Sequence, residues 1–153
     1  MLVSMPTVPL KVSKRAVKRF VIEAKALFPK ETYGYLLGDA TNESVNVTDI
    51  WVPSRASLIA HTTKFNVYPQ PEWIADVLEY AEEHELKALG NIHSHCYDVH
   101  EGFTDATPSA ADIDSGHCNQ FFGITRIRRT QSNRLYACVR FWGPMMPVKV
   151  EIV

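Results

Sequence analysis

The chain is poor in cysteine and has no long apolar run, and each shortage excludes a class of protein. It contains three cysteines, Cys96, Cys118 and Cys138, and no two of them form a Cys-x-x-Cys pair. A sparse, odd number of cysteines argues against a disulfide framework and favours a reducing compartment, so we expect a cytoplasmic protein. No apolar run approaches the roughly 20 residues that cross a bilayer, and no signal-peptide pattern opens the chain. We therefore expect no membrane association.

Charge of one sign is also lacking, because the net charge is −1 at pH 7. This balance excludes a protein built to coat nucleic acid. A small basic cluster, Arg126, Arg128 and Arg129, is predicted to form a solvated or partner-facing edge and not a nucleic-acid site. Apolar residues make up 46% of the 153 residues and charged residues 22%. These proportions, with no internal repeat, predict one globular domain over residues 1–153.

The apolar pattern predicts alternating helices and strands after a short extended segment at residues 1–10. Ser13 can cap a helix that runs to about Phe28 and ends at Pro29. A second helix begins at Pro71, and its apolar stripe consists of Ile74, Val77, Leu78 and Ala81. A third, short helix is predicted near Pro108. The predicted strands cover residues 33–38, 45–52, 64–68, 86–95, 121–128, 134–141 and 148–153, the last at a sheet edge. This order predicts an α/β (mixed α+β) fold, with helices packed on a mixed sheet.

Two histidines, His93 and His95, end one predicted strand. Residues two apart in a strand project from the same face, so both imidazoles should point together at the strand end, where ligands collect in sheet proteins. The alternative is a pair of half-exposed strand histidines without a ligand. With one carboxylate, two histidines would leave a corner of a tetrahedral zinc site open, as catalytic zinc requires.

Two other short motifs supply oxygen atoms. Ser109 and Asp112 are three positions apart after Pro108. A serine followed three residues later by an acid is also the pattern of a helix cap, and both functions can hold at once. Glu31 supplies a second carboxylate, which could serve as the base for a water molecule. Taken alone, a glutamate after Pro29 and Lys30 is usually solvated.

Together the three motifs resemble the signature of a known family. The motifs are Glu-x-x-Gly-x-Leu-x-Gly from Glu31, His-Ser-His from His93, and Pro-Ser-x-x-Asp from Pro108. They are similar to those of the JAMM metallopeptidases, also called the JAB or MPN-plus family, in its prokaryotic type. The resemblance extends from the first helix through the final strands. It implies the JAMM/MPN fold, a cytidine-deaminase-like mixed sheet flanked by helices, and one Zn2+ per chain.

The resemblance also implies a role for each matching residue. His93, His95 and Asp112 match the zinc ligands. Glu31 matches the general base for the attacking water, and Ser109 matches the hydroxyl that stabilises the oxyanion of the tetrahedral intermediate. The chemistry is coherent, because zinc lowers the pKa of water to roughly 7 and a positioned donor stabilises a developing negative charge.

The chain departs from the family pattern directly after the histidines. The family usually has proline there and a shorter segment before the serine, whereas Cys96 follows His95 here and residues 96–108 precede Ser109. This leaves four alternatives to Asp112 as third ligand: Asp98, His100, Asp105 and Asp114. A Cys96 thiolate could also occupy the open zinc position, although a small, partly buried residue at a strand end is the simpler interpretation.

The resemblance implies a substrate class and partners. It implies cleavage of an amide or isopeptide bond after the C-terminal tail of ubiquitin or a ubiquitin-like protein, with the tail extended and paired to a sheet edge beside the zinc. Relatives of the prokaryotic type occur in operons with E1-like and E2-like proteins, including antiphage conjugation systems, so such proteins are possible partners. The alternative is a JAMM-like domain without activity that acts as a scaffold in a larger complex.

Overall fold

The computed structural model describes residues 9–96, 120–143, 146–147 and 149–153. Within these ranges, eight strands form one sheet and three helices pack on it. The strands are β1 (Leu10–Val12), β2 (Tyr33–Ala40), β3 (Val45–Trp51), β4 (Lys87–His95), β5 (Phe121–Arg129), β6 (Leu135–Gly143), β7 (Met146–Pro147) and β8 (Val150–Ile152). The helices are α1 (Lys14–Leu27), α2 (Arg55–His61) and α3 (Pro71–Glu83). The predicted mixed α+β class is confirmed.

The sheet is mixed and has the order β7-β6-β5-β4-β2-β3-β1-β8. β4 is paired on both sides, antiparallel to β2 and parallel to β5. The end of β4 therefore lies between the start of β2 and the second half of β5. β8 pairs in parallel with β1 at one end of this order, so the predicted edge strand is confirmed.

The two faces of the sheet carry different helices. Ser13 caps α1, because its Oγ accepts a hydrogen bond from the amide of Ala16 at 3.2 Å. α1 buries Phe20 and Ala24 against a core that includes Leu36. Neighbouring residues of a strand project to opposite faces, so the other face receives α2 and α3, which bury Leu58, Trp73, Val77 and Ala81.

One predicted strand is absent from the described part of this second face. A strand was predicted at residues 64–68, but only an isolated bridge between Thr62 and Val67 occurs there. The preceding segment forms α2 instead. Ser54 caps this helix by accepting a hydrogen bond from the amide of Ser57 at 3.2 Å, and Leu58 of α2 is fully buried. Capping and burial together stabilise a short helix that apolar periodicity alone does not indicate.

The stripe on α3 is rotated relative to the prediction. Ile74 and Leu78 are 50% and 54% exposed. The predicted Val77 and Ala81 are confirmed as buried, and Trp73 joins them at the same spacing of four residues. The reason is Trp73, whose indole stacks on the Tyr33 ring with centroids 6.1 Å apart. Burying one tryptophan removes more apolar surface from water than burying an isoleucine, so it determines which side of α3 faces the sheet.

The remaining element predictions have mixed outcomes. The segment at residues 1–10 was predicted as an extended lead-in, and its described end forms the start of β1, which pairs with β3. The prediction of a short helix near Pro108 falls outside the described residues. Within the described ranges, no helix is both long and apolar enough to span a bilayer.

Candidate metal centre

His93 and His95 form a buried pair at the end of β4. Their exposed fractions are 3% and 2%, so the alternative of half-exposed histidines is wrong. The two Nε2 atoms lie 3.0 Å apart, and the ring planes are inclined by 58°. Because residues two apart share a face of a strand, the backbone alone brings the two rings together. The imidazoles therefore converge through equivalent nitrogen atoms.

This donor pair suits a zinc ion. Tetrahedral coordination with Zn–N bonds of 2.0–2.1 Å places two ligand nitrogens roughly 3.3 Å apart, close to the observed 3.0 Å. Asp112 and Ser109 lie outside the described residues, as do the alternative ligands. Within the part of the chain that the structure describes, no third His, Cys, Asp or Glu side chain joins the histidines in a metal-holding group.

Glu31 is held in place from two sides. The amide of Glu31 donates a hydrogen bond to the carbonyl of Thr63 at 2.8 Å, just after α2. The next residue, Thr32, is tied to the end of β4: its amide donates to Ser94 Oγ at 2.7 Å, and its carbonyl accepts from the Ser94 amide at 2.9 Å. Glu31 itself is buried. It is therefore part of a fixed backbone segment and not a solvated residue.

The β2–β4 register places Glu31 on the face of the histidines. Tyr33 pairs with His93, and the hydrogen bonds of Thr32 with Ser94 continue this register by one residue. Extended by one further residue, this register sets Glu31 opposite His95. Residues directly opposite each other in antiparallel strands project to the same face. On this extended register, Glu31 shares a face of the sheet with His93 and His95.

The wall next to the histidines is aromatic and belongs to the α2–α3 face. Tyr33, the cross-strand neighbour of His93, is buried, and burial raises the pKa of its hydroxyl well above the usual range. Tyr33 stacks on Trp73, whose Nε1 donates a hydrogen bond to Ser57 Oγ at 2.8 Å. These contacts fix β2, which begins two residues after Glu31, against the two helices.

Comparison with known proteins identifies the family. Residues 13–138 match the family described as prokaryotic homologs of the JAB domain. The chain belongs to this family. The family predicted from the three motifs is thereby confirmed. Among curated protein sequences, none matches the chain significantly.

Solved structures show the same fold as this JAB-family chain. A protein from Desulfitobacterium hafniense, studied in solution, aligns with a TM-score of 0.65 at 15% identity, over 94% of this chain and 92% of that one. A crystal structure of a JAB1/MPN domain protein from Archaeoglobus fulgidus aligns with a TM-score of 0.53 at 16% identity, over 94% and 98% of the two chains. At these identities the likeness establishes the fold alone.

Cys96, where this chain departs from the JAMM pattern, faces away from the histidines. Its Sγ lies 3.8 Å from Ser94 Oγ and donates a hydrogen bond to the carbonyl of Lys30 at 3.5 Å. Burial is the main cause that raises the pKa of the Cys96 thiol to about 12; the hydrogen bond with Ser94 opposes this shift, and the charge of Glu31 adds to it. Cys96 is therefore a buried thiol hydrogen-bonded to the backbone at a strand end, which agrees with the simpler interpretation of this residue.

The sequence analysis did not predict that two polar residues, Arg126 and Asn91, are buried beside the histidines. Arg126 was predicted to lie on a solvated edge with Arg128 and Arg129; the other two are exposed, but Arg126 is only 5% exposed. Asn91, two residues before His93, is fully buried. Both follow the two-residue alternation of β4 and β5, which places them on the face of the histidines. The two-residue alternation of a strand was therefore the sequence signal that could have placed both residues next to the histidines.

Ser94 should contribute strongly to stability in this JAB-family chain. In Ser94→Ala, the buried amide of Thr32 loses the hydroxyl to which it donates at 2.7 Å. An unsatisfied buried donor costs about 1–3 kcal/mol, so we expect a loss of that size in the free energy of unfolding, measured by urea denaturation. The control is Ser132→Ala, at an exposed turn, which should change stability by less than about 0.5 kcal/mol. Equal stability of the two variants would contradict the prediction.

Proposed function

We propose that this chain is a zinc-dependent peptidase that cleaves the amide or isopeptide bond after the C-terminal tail of ubiquitin or a ubiquitin-like protein. The observation that carries the proposal is the convergence of the His93 and His95 Nε2 atoms at 3.0 Å. Glu31 is buried on the same face. Two converging imidazole nitrogens, with a buried carboxylate on the same face, suit metal-assisted hydrolysis.

The protein residues have distinct roles in the proposed reaction. His93, His95 and Asp112 would hold the ion. A bound zinc supplies a Lewis acid, which polarises the scissile carbonyl and makes water more acidic. Glu31 accepts the proton of the attacking water and later returns it to the leaving amine, as one carboxylate can in general acid–base catalysis. Ser109 donates a hydrogen bond to the oxyanion.

The substrate tail cannot bind by adding as a new strand to the edge of β4, the strand that carries both histidines. His93 and His95 lie on β4, which is hydrogen-bonded to β2 and β5 at this level. β4 therefore has no free edge at this level for a substrate tail. We propose that the tail reaches the histidines from the face of the sheet, and that any pairing of the tail takes place at a strand other than β4.

The proposed partners and compartment follow from the proposed substrate. The substrate is ubiquitin or a ubiquitin-like protein, and E1-like and E2-like proteins of the same conjugation system are proposed partners. No nucleic acid or membrane takes part. Cys96 and Cys138 are free thiols, which suits a reducing compartment, and we place the protein in the cytoplasm.

The direct test uses ubiquitin and any ubiquitin-like protein encoded beside the gene, each extended by a peptide after its terminal glycines. Incubation with the zinc-loaded chain should release that peptide, and mass spectrometry should find the cut after the last glycine. A chelator should abolish the cleavage, and added zinc should restore it. A folded, zinc-loaded chain that cleaves no member of the set would favour the scaffold function instead.

A further inference from the structure

Arg126 is a buried cation without a matching anion in the described part of the chain. Its residue exposure is 5%. Its Nη2 atom is inaccessible to solvent and has no hydrogen-bond partner among the residues that the structure describes. Salt bridges within the described ranges join Arg19 to Asp49 and Arg55 to Glu23, and neither includes Arg126. Burying a guanidinium raises the free energy of the folded chain unless an anion compensates its charge. A bound anionic ligand would therefore stabilise this position.

The register of the sheet places this cation beside the candidate metal centre. β4 and β5 are parallel, and the Cα partner of Arg126 is His95. One pair earlier on the same face, the partner of His93 is Ile124, which is fully buried. Arg126 therefore comes directly after the buried Ile124 on this face of β5. It is the first charged residue of β5 on the face that carries both histidines.

The neighbouring arginines differ from Arg126 in their surroundings. Arg128 lies over the Tyr136 ring at 5.2 Å, and Arg140 lies over the Trp142 ring at 5.3 Å. Both are exposed, so water and the aromatic faces stabilise their charges. Arg126 is thus the arginine of this face that a bound anion would stabilise most.

We propose that Arg126 binds a carboxylate of the substrate or product next to the scissile bond, and so acts as a specificity-determining residue. This inference rests on the proposed peptidase function and deepens it. A guanidinium matches the planar carboxylate through two parallel hydrogen bonds, which a lysine cannot form. The carboxylate has two possible sources. One is the new C-terminal carboxylate of the released tail, and the other is an acidic side chain just after the cut.

Two pairs of small probes distinguish the sources. Acetyl-Gly-Gly with a free carboxylate is compared with its amide, and acetyl-Gly-Gly-Asp-amide with its Asn counterpart. Each is titrated into the zinc-loaded chain carrying Glu31→Gln, which slows turnover by about 10²–10⁴-fold, and binding is followed by NMR, including the Nε–Hε signal of Arg126. We expect the carboxylate member of one pair to bind at least about tenfold more tightly. The pair that shows this preference identifies the source.

Variants in the same background assign the preference to Arg126. Arg126→Gln should reduce it to within about twofold, and Arg126→Lys should keep only part of it. Arg128→Gln, at the exposed neighbour on the same face, should leave it unchanged. The inference is overturned if neither pair shows a preference, or if the preference survives Arg126→Gln, which would assign it to the metal. The binding test does not depend on turnover. A chain that binds the carboxylate probes through Arg126 but cleaves no protein would therefore contradict the proposed peptidase function and still support the Arg126 site.

Thermal stability provides a second, independent test. If Arg126 is kept unpaired for a ligand, Arg126→Met should melt at the same temperature as the wild type or higher, because an uncompensated buried charge is removed. If an acidic residue of the same chain pairs with Arg126, the substitution leaves that acid unpaired. A fall of more than about 5 °C in melting temperature would then follow and would overturn the inference.

Discussion

His93→Ala and His95→Ala are each expected to purify almost free of zinc, whereas the unaltered chain should hold about one zinc per chain. The two Nε2 atoms converge at 3.0 Å, so each substitution removes one of the donors that would contact the ion. Loss of an outer-shell partner alone lowers metal affinity by about 10–100-fold, and loss of a direct ligand should exceed that range. Elemental analysis of the purified proteins, with zinc titration against a competing chelator, measures both effects.

His84→Ala is the matched control for zinc content. His84 is exposed at the end of α3, where its ring stacks on Tyr80 with centroids 4.0 Å apart. This variant should keep the full complement of zinc. Asp112→Ala should weaken zinc binding as the histidine variants do, and Asp114→Ala should not, if the predicted third ligand is right. Wild-type protein that contains no zinc and takes none up would contradict the metal centre and exclude the proposed peptidase.

The histidine pair could be predicted from the sequence because its geometry is local. The two-residue period of a strand is fixed by the backbone, so any strand through His93 and His95 places both rings on one face. The same local argument predicted α1, where Ser13 precedes a run of apolar residues at helical spacing. In both cases the contacts that decide the outcome lie within one element.

The position of Glu31 could not be derived in the same way. Its segment is held by the carbonyl of Thr63 and by Ser94, residues that only the folded chain brings next to it. The resemblance to a known family named Glu31, but no rule of periodicity predicts that a glutamate after a proline and a lysine is buried. The contact with Thr63 also depends on α2, which apolar periodicity did not indicate.

Arg126 and α3 show how tertiary packing overrides local pattern. Arg126 belongs to a run of arginines that reads as an exposed edge, yet its place in β5 turns it to the histidine face, while Arg128 lies beyond the buried part of the strand. On α3, the stacking of Trp73 on Tyr33 decides which side is buried. Both outcomes follow from the pairing partners of the element, which the sequence of that element does not contain.

Glu31→Gln is expected to keep zinc and fold but to slow hydrolysis by about 10²–10⁴-fold, the usual contribution of a positioned acid–base group. Glutamine has the same shape as glutamate and retains the backbone hydrogen bond to Thr63, so the buried segment should not move. It cannot accept the proton of the attacking water. Turnover of the extended ubiquitin-like substrate, with zinc content and melting temperature measured on the same preparations, separates this loss from a loss of structure.

The control for Glu31→Gln is Glu79→Gln, at an exposed position of α3, which should hydrolyse substrate at the unaltered rate. The loss in Glu31→Gln should appear in kcat, with KM nearly unchanged, because a base acts on the transition state and contributes little to substrate binding. A rise in KM at normal kcat would instead make Glu31 a substrate-binding residue. Near-normal turnover would place the base elsewhere and leave Glu31 as a buried structural residue.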